Sequence, residues 1–301
     1  MGAGHPECPE RLDAIEDRLL SSGLEVALDR REAPIAPLND IELAHGRRYV
    51  NALRGLSEGL KEEILAGGPA HAQVDPDTSI NVHTWDAALR SAGAVLAATD
   101  AVIAGEMPNA FCSVRPPGHH ASRDKAGGFC FFNNVAIAAK YALERHGLKK
   151  VAIVDFDVHH GNGTEDIVAG DSRILMVSFY QHPFYPLDYV HSQASNLVNM
   201  PVPAYTKGME VRELIESTWM PRLENFAPEM IFISAGFDAH REDDMGQMGL
   251  VEQDYAWITQ RIKDVARRHA KGRIVSCLEG GYALSALGRS VEAHIRVLAD
   301  V

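Results

Sequence analysis

Residues 151–164 read ValAlaIleValAspPheAspValHisHisGlyAsnGlyThr, so an apolar run passes directly into acidic and imidazole side chains. The four apolar residues at its start predict a buried parallel strand. Because side chains alternate along a strand, Asp155, Asp157 and His159 would share one face if the extended conformation continues. Charged groups at the end of a buried strand must be paired or bound to a metal. This stretch therefore predicts a metal site.

The composition restricts the classes of partner and the compartment. The chain has 301 residues, of which 46% are hydrophobic, and a net charge of −12. This charge argues against a nucleic-acid partner and is compatible with a cationic substrate. No signal peptide and no run of roughly 18 apolar residues, as a membrane span requires, is visible. The four cysteines are scattered singly. We therefore expect a cytoplasmic protein with reduced thiols that binds neither nucleic acid nor membrane.

Strand-like and helix-like patterns alternate along the chain, which predicts an α/β fold with a mostly parallel sheet covered by helices. The predicted strands are 110–114, 151–156, 174–179, 230–235 and 273–278. The predicted helices are 10–21, 84–105, 134–146, 210–225, 252–269 and 284–298. The polar, glycine- and proline-containing stretch 67–80 is predicted to be a loop.

Four of the five predicted strands lead into polar clusters. These clusters are 115–120, the residues from Asp157 to His159, 236–240 and 279–282. Open α/β sheets place their sites beyond the carboxyl ends of the strands. We therefore expect the four loops to form a single pocket at one edge of the sheet.

Asp157, His159 and Asp238 are the candidate metal ligands. Three protein ligands with one open position are typical of a catalytic zinc ion. Oxygen and nitrogen donors without a thiolate also permit Fe(II), Co(II) or Mn(II). In the alternative interpretation the aspartates cap turns and His159 is a hydrogen-bonded core histidine. The four converging loops favour the metal.

The tandem histidines His119 and His120 follow a stiff Arg-Pro-Pro-Gly segment, so both rings can face a pocket. Asp155 and Asn162 are candidate partners, one for each ring. A carboxylate raises the basicity of an imidazole more than an amide does. One ring could therefore take a proton from water while the other keeps its charge. The alternatives are surface histidines or a second metal site.

Tyr282 follows two glycines, and its phenol could donate to an oxyanion. The segments 127–129 and 184–185 carry aromatic residues that could line a narrow channel. An ordinary turn tyrosine and simple core packing are the alternatives. Together with a metal, these groups predict metal-assisted hydrolysis of an uncharged carbonyl compound.

Five segments in this order are similar to the zinc-dependent histone deacetylase family. The segments are 115–121, 128–134, 155–164, 236–240 and 279–282. That family includes bacterial deacetylase-like amidohydrolases, acetylpolyamine amidohydrolases and acetoin-utilisation proteins. The resemblance implies the arginase-like α/β fold and one catalytic domain over residues 1–301. Family members normally carry a further N-terminal strand before the segment 5–11, so either a strand is missing here or the pocket rim is shorter.

The resemblance also implies the roles of individual residues. The implied zinc ligands are Asp157, His159 and Asp238. His119 and His120 match the catalytic pair, with His120 as general base and acid, and Asp155 and Asn162 match their partners. Asparagine at 162 resembles the class II branch. Tyr282 matches the tyrosine that stabilises the oxyanion.

Further implied sites are the substrate channel and a structural potassium ion. The channel residues are Gly128, Phe129 and Tyr185. Oxygen atoms for potassium would come from Asp155, Asp157, His159, Ser178 and Phe179. Arg11 resembles an arginine at an internal product channel.

The implied reaction removes acetyl, or another short acyl group, from acyl-lysine in a protein or from a small acylated amine. An acetylpolyamine deacetylase needs an acidic residue at the pocket rim, and the candidates are Glu242, Asp243 and Asp244. A binuclear manganese hydrolase related to arginase and a weakly active acyl-lysine binder are further alternatives. Assembly into a homo-oligomer stays open.

Overall fold

The computed structural model describes residues 1–2, 4–187 and 189–301. Its strands are β1 (His71–Asp75), β2 (Thr78–Asn81), β3 (Asn109–Cys112), β4 (Val151–Asp155), β5 (Ile174–Gln181), β6 (Leu197–Val202), β7 (Met230–Ala235) and β8 (Ile274–Leu278). Within the described ranges, β1 and β2 form an antiparallel hairpin. The other six strands form one parallel sheet in the order β3-β8-β7-β4-β5-β6.

Helices cover the sheet. They are α1 (Glu10–Ser21), a 3₁₀ turn (Leu24–Ala27), α2 (Leu38–Ile41), α3 (Arg47–Leu65), α4 (Thr84–Ala104), α5 (Asn134–Glu144), α6 (Asn162–Val168), α7 (Gly208–Leu214), a π-helical turn (Ile215–Trp219), α8 (Met220–Phe226), α9 (Glu252–His269) and α10 (Leu284–Ala299).

The central strand β4 is buried along its whole length because both faces of the sheet are covered. Ala152 and Val154 belong to a core shared with α1, α9 and α10. Val151 and Ile153 belong to the opposite core, shared with α3, α4 and α5. This alternation is the reason why the strand is apolar at every position instead of every second one.

The predicted parallel α/β architecture is confirmed, and each of the five predicted strands is present with small shifts at its ends. The sequence analysis did not predict β6, α3 or α6. The predicted loop 67–80 was wrong in part, since it contains the hairpin β1–β2. The predicted helix 210–225 is interrupted by the π-helical turn. Strand β6 and helix α6 are short, so local propensity did not distinguish them. Helix α3 has 19 residues and one buried face, a periodic signal that the sequence analysis overlooked.

Helix α4 is long and apolar, although Asp86, Arg90 and Asp100 interrupt its apolar residues. By length and composition it could cross a membrane, with a mean hydropathy of 1.4 over its most apolar window. In the structure 56% of that window is buried, and α4 packs on α5 and beside β3. Among the described residues it is the one helix with these properties.

All four cysteines are free thiols, as their spacing indicated, and three of them are buried.

Candidate active site

The four polar loops meet at the carboxyl edge of the sheet, as the sequence analysis expected. A hydrogen bond from Gly280 N to Asp157 Oδ2 (2.9 Å) joins the loop after β8 to the loop after β4. Another from Val158 N to Asp238 Oδ1 (2.9 Å) joins the loops after β4 and β7. His119 Nδ1 lies 3.0 Å from Asp155 Oδ2, which adds the loop after β3. The pocket is therefore a consequence of parallel strands ending together.

Asp157, His159 and Asp238 form a buried group of three potential ligands whose donor atoms all lie within 4.8 Å of one another. His159 Nδ1 is 3.0 Å from Asp157 Oδ1 and 3.3 Å from Asp238 Oδ2. The structure thus brings together the three residues that the sequence analysis selected as metal ligands.

The donor set fits a divalent cation. Backbone N–H groups donate hydrogen bonds to both oxygen atoms of Asp157 and to Oδ1 of Asp238. The buried Oδ2 of Asp238 has no hydrogen-bond donor among the described residues. Burial and the neighbouring Asp157 raise the pKa of Asp238 to about 6. Burial opposes protonation of His159, but the hydrogen bond to Asp157 and the neighbouring Asp238 carboxylate outweigh it and raise its pKa to about 10. These shifts show that the two converging carboxylates favour a positive charge beside them, and a cation such as zinc supplies that charge.

Glycines allow this close packing. A Cβ atom at Gly280 would lie 1.9 Å from Asp238 Oδ2, and one at Gly236 would lie 2.0 Å from Asp157 Oδ2. No side chain larger than hydrogen fits at either position without moving a candidate ligand. The Gly-Gly sequence before Tyr282 therefore serves close approach to the carboxylates.

The tandem histidines have different partners. His119 faces Asp155, whereas His120 Nδ1 donates to Asn162 Oδ1 at 2.7 Å. Burial opposes protonation of His119, but the nearby carboxylates, led by Asp157, outweigh it and raise its pKa. Burial and the neighbours His119 and His159 lower the pKa of His120. The pair therefore contains one ring that favours the charged form and one that favours the neutral form.

Glu279 is a buried residue of this site that the sequence analysis quoted but gave no role. Its Oε2 accepts hydrogen bonds from Gly118 N (2.7 Å) and His119 N (3.1 Å). Burial raises its pKa to about 7. The glutamate thus ties the histidine loop to the end of β8. A carboxylate directly after a buried strand was the signal that could have identified it.

Tyr282 lies at the pocket with its ring edge-on to Phe129, at a centroid distance of 6.0 Å, and the Arg11 guanidinium lies 4.8 Å from the ring centre. Burial raises the pKa of the phenol, which therefore stays protonated. Asp243 Oδ2 accepts hydrogen bonds from the backbone N–H of Tyr282 (2.6 Å) and Ala283 (2.9 Å).

The expectation that residues 242–244 offer acidic side chains at the rim for a distal ammonium is wrong for Asp243. Asp243 is buried and anchors the tyrosine loop, while Glu242 forms a bidentate ion pair with Arg289 at 2.9 Å. Glu242 and Asp244 are both exposed. Residue spacing could not distinguish an acidic side chain that faces solvent from one that caps a neighbouring loop.

The predicted channel residues surround His120. Gly128 has a φ of +54°, and a Cβ there would lie 2.3 Å from His120 Cδ2. Phe129 stands beside Tyr282, and the Tyr185 ring is perpendicular to His120 at 5.0 Å. Phe184 stacks on His159 at 5.3 Å. Aromatic side chains thus approach the candidate ligands and the histidine pair from several sides.

The residues expected to hold potassium lie at the neighbouring ends of β4 and β5. Asp155 is in register with Ser178, whose Oγ donates to Asn199 Oδ1 at 3.1 Å. Phe179 follows within β5 and is buried.

Comparisons with known proteins agree with this geometry. The histone deacetylase domain family matches residues 5–298. A histone deacetylase-like amidohydrolase of Pseudomonas aeruginosa is 37% identical over 288 residues, which cover 93% of this chain and 73% of that protein. A probable deacetylase of Archaeoglobus fulgidus is 36% identical, over 93% of this chain and 77% of its own length. The crystal structure of the HDA15 HD domain superposes with a TM-score of 0.90 at 32% identity, and covers 100% of this chain and 84% of that one.

The resemblance and the arginase-like deacetylase fold that the sequence indicated are both confirmed. The relatives include deacetylases and an amidohydrolase, so the chain is a deacetylase that hydrolyses an amide bond. On its fold, its converging site and its similarity over nearly the whole length, this chain belongs to the histone deacetylase family.

Proposed function

We propose that residues 1–301 act as one zinc-dependent catalytic domain that removes acetyl, or another short acyl group, from an amine at the end of an aliphatic chain. The family is zinc-dependent in general. The observation that carries the proposal is the convergence of Asp157, His159 and Asp238 beside His119, His120 and Tyr282. The first three would hold zinc, which when bound polarises a carbonyl and makes water more acidic.

His120 would act as the general base and acid. Its Nδ1 proton is engaged by Asn162, so Nε2 carries the lone pair that can accept a proton from water. Its lowered pKa keeps the ring neutral near pH 7, which is the form that a base requires. The same Nε2–H could then protonate the leaving amine.

His119 and Tyr282 would stabilise charge. The Asp155 carboxylate beside Nδ1 would favour the protonated form of His119, which would give the pocket a positive charge. The phenol of Tyr282 would donate to the oxygen of the amide carbonyl as negative charge develops on it. Gly128, Phe129 and Tyr185 would hold the aliphatic chain and exclude water.

Potassium is proposed as a structural ion near the ends of β4 and β5. Asp155, Asp157, His159, Ser178 and Phe179 offer main-chain and side-chain oxygen atoms there. Such an ion would offset part of the negative charge of the buried aspartates.

A small acetylated amine is a second candidate substrate, because acidic residues stand beside the channel on the hairpin β1–β2. Phe129 N donates to Thr78 Oγ1 at 2.9 Å, which places the hairpin against the channel. Asp75 Oδ2 forms an ion pair with Lys125 at 3.2 Å. Burial and the neighbouring Asp75 raise the pKa of Asp77. These carboxylates could bind a distal ammonium group, a task that the sequence analysis assigned to residues 242–244.

Membership of the histone deacetylase family argues against a binuclear manganese site. In addition, the Asn162 side-chain oxygen accepts a hydrogen bond from His120, so it is not free to bind a second cation. No candidate ligand or catalytic side chain is lost from the sequence, which argues against a non-catalytic acyl-lysine binder.

The test measures hydrolysis of acetyl-lysine peptides, acetylputrescine and longer acyl-lysine peptides, with zinc content determined on the same samples. We expect turnover in the wild type and little turnover in His120→Ala, which should keep its metal. The exposed His83→Ala is the matched control and should keep both activity and metal. A metal-loaded wild type that hydrolyses none of the acylated amines would contradict the proposal.

A further inference from the structure

A second group of histidines and a carboxylate lies outside the site described above. It consists of His160, Glu165 and His191, whose potential ligand atoms all lie within 4.8 Å of one another. His160 Nε2 is 3.0 Å from Glu165 Oε2, and His191 Nδ1 is 3.8 Å from the same oxygen. Ligands on a tetrahedral zinc ion with bonds of about 2.0–2.1 Å stand roughly 3.3 Å apart. The two observed distances, 3.0 Å and 3.8 Å, lie on either side of this ligand-to-ligand distance.

Three of the four ring nitrogens in this group lack a hydrogen-bond partner among the described residues. His160 is only 2% exposed, yet neither of its ring nitrogens has a hydrogen bond within the described part of the chain. His160 Nε2 lies at ion-pair distance from Glu165 Oε2, and this contact lacks hydrogen-bond geometry. His191 Nδ1 is likewise buried without a partner. Buried polar atoms rarely remain unsatisfied, so these nitrogens indicate a missing ligand.

The carboxylate needs a positive charge. The Glu165 side chain is fully buried, and its ion-pair partners among the described residues are histidines, not lysine or arginine. Ser192 N donates to its Oε1 at 2.5 Å, and the Asn199 side chain donates to Oε2. These neutral donors orient the carboxylate toward the histidines but do not supply charge. A buried carboxylate in this position is balanced by a cation.

The surrounding residues support ligation by the imidazoles. The Tyr180 hydroxyl contacts His191 Nε2 at 3.4 Å, which leaves Nδ1 for the group. The His160 ring packs against Tyr180 at 4.5 Å and Tyr189 at 5.3 Å. A partner on the second nitrogen of a ligating histidine and an aromatic wall are common around metal sites.

We propose that His160, Glu165 and His191 bind a second divalent transition-metal ion, with zinc as the expected metal. Two imidazoles and one carboxylate with one open position suit zinc and exclude calcium and magnesium, which prefer oxygen donors. The ion would join the segment 189–196 to α6. That segment follows Phe184 and Tyr185, which flank the catalytic pocket, so the second ion would help to order one wall of the channel.

Metal stoichiometry tests the proposal. Full-length protein is loaded with ZnCl₂, dialysed against metal-free buffer and analysed by mass spectrometry of the metal. We expect two equivalents in the wild type, one in His191→Ala, one in Asp238→Ala and none in the double variant. The exposed His71→Ala is the control and should keep two. One equivalent in the wild type that His191→Ala leaves unchanged overturns the proposal. Two equivalents retained in Asp238→Ala would instead contradict the proposed catalytic site.

Diffraction from wild-type crystals makes the result independent of how the variants fold. Data collected at the zinc absorption edge should give two anomalous peaks per chain, and one of them should lie among His160, Glu165 and His191. A single peak among Asp157, His159 and Asp238 in crystals grown with excess zinc would overturn the second site.

Discussion

Two groups of histidines and carboxylates contain the adjacent residues His159 and His160, and they differ in how they are held. In the catalytic group, backbone N–H groups at the ends of buried strands fix Asp157 and Asp238. The second group consists of His160, Glu165 and His191 and is called the His191 group from here on. Its candidate ligand His191 lies on the segment 189–196, which is outside any strand or helix. The His191 side chain is 32% exposed.

This difference predicts different behaviour. The catalytic group is preorganised by the sheet, so its geometry costs little to assemble. The His191 group requires a loop to be ordered, and its affinity for metal therefore includes that entropic cost. We expect metal to leave the His191 group first during dialysis against a chelator.

The largest expected effect is at the catalytic group. Asp238→Ala removes one candidate ligand and leaves Asp157 and His159 without their partner, so kcat/KM should fall by at least about 10³-fold with loss of one metal equivalent. Asp244→Ala, an exposed residue of the same loop, is the control and should be unaffected. Steady-state kinetics with metal analysis checks both. Full activity in Asp238→Ala would show that Asp238 is not needed for catalysis. The group that contains it could then no longer be called the catalytic group.

The next effect separates transition-state stabilisation from metal binding. Tyr282→Phe should lower kcat by about 10²–10³-fold without a change in metal content at either group, because only the donor to the oxyanion is lost. Tyr205→Phe, at an exposed tyrosine, should behave as the wild type. Unchanged kcat in Tyr282→Phe would exclude the assigned role.

A third buried histidine, His294, contacts hydroxyl groups and no carboxylate, so it shows the effect of burial alone on an imidazole. His294 lies in the core, where its ring nitrogens contact Thr259 Oγ1 (2.6 Å) and Ser276 Oγ (2.9 Å). Burial lowers its pKa to about 3. The folded state therefore favours the neutral ring, and the stability from this preference is complete above the ordinary pKa of about 6.5 and is lost as pH falls toward 3.

His294→Gln should reduce the pH dependence of folding. Between pH 7 and pH 5 the wild type should lose about 2 kcal/mol through this residue, and the variant should not. Denaturant unfolding at several pH values gives the free energies, and the difference between the two curves isolates His294 from the other titrating groups. If the free energy of unfolding changed with pH by the same amount in both proteins, the His294 ring would not be the source of this pH dependence.

The smallest effect concerns the partner of His120. Asn162→Asp places a carboxylate beside Nδ1, which should stabilise the imidazolium and raise the pKa of His120. The acidic limb of the kcat/KM profile should then move about one pH unit higher, with a loss of about tenfold below the new limb. A pH–rate profile checks this. Movement of the limb to lower pH would mean that another group acts as the base.

Much of the fold could be predicted because its strands are continuous apolar runs. The run before Asp155 has four apolar residues, and the three other loops also follow predicted strands. The order β3-β8-β7-β4-β5-β6 could not be read in this way, nor could β6, whose pattern of buried and partly buried residues is irregular.

Membership of the candidate site was predictable where residues close in sequence lie together, as in Asp157 with His159 and His119 with His120. They were not predictable for Glu279, Asp243 or the His191 group. Asp243 caps a loop 39 residues away, and His191 meets Glu165 across 26 positions. Such separations carry no periodic signal.

The amino-acid sequence by itself determined which segments become buried strands and which polar residues follow their carboxyl ends, because hydrophobic periodicity and strand alternation are local properties. Only the tertiary structure decided which of those polar side chains meet, which acidic residues face solvent and which cap neighbouring loops. The physical reason is that the environment of a charged group depends on segments that are distant in the chain and close in space.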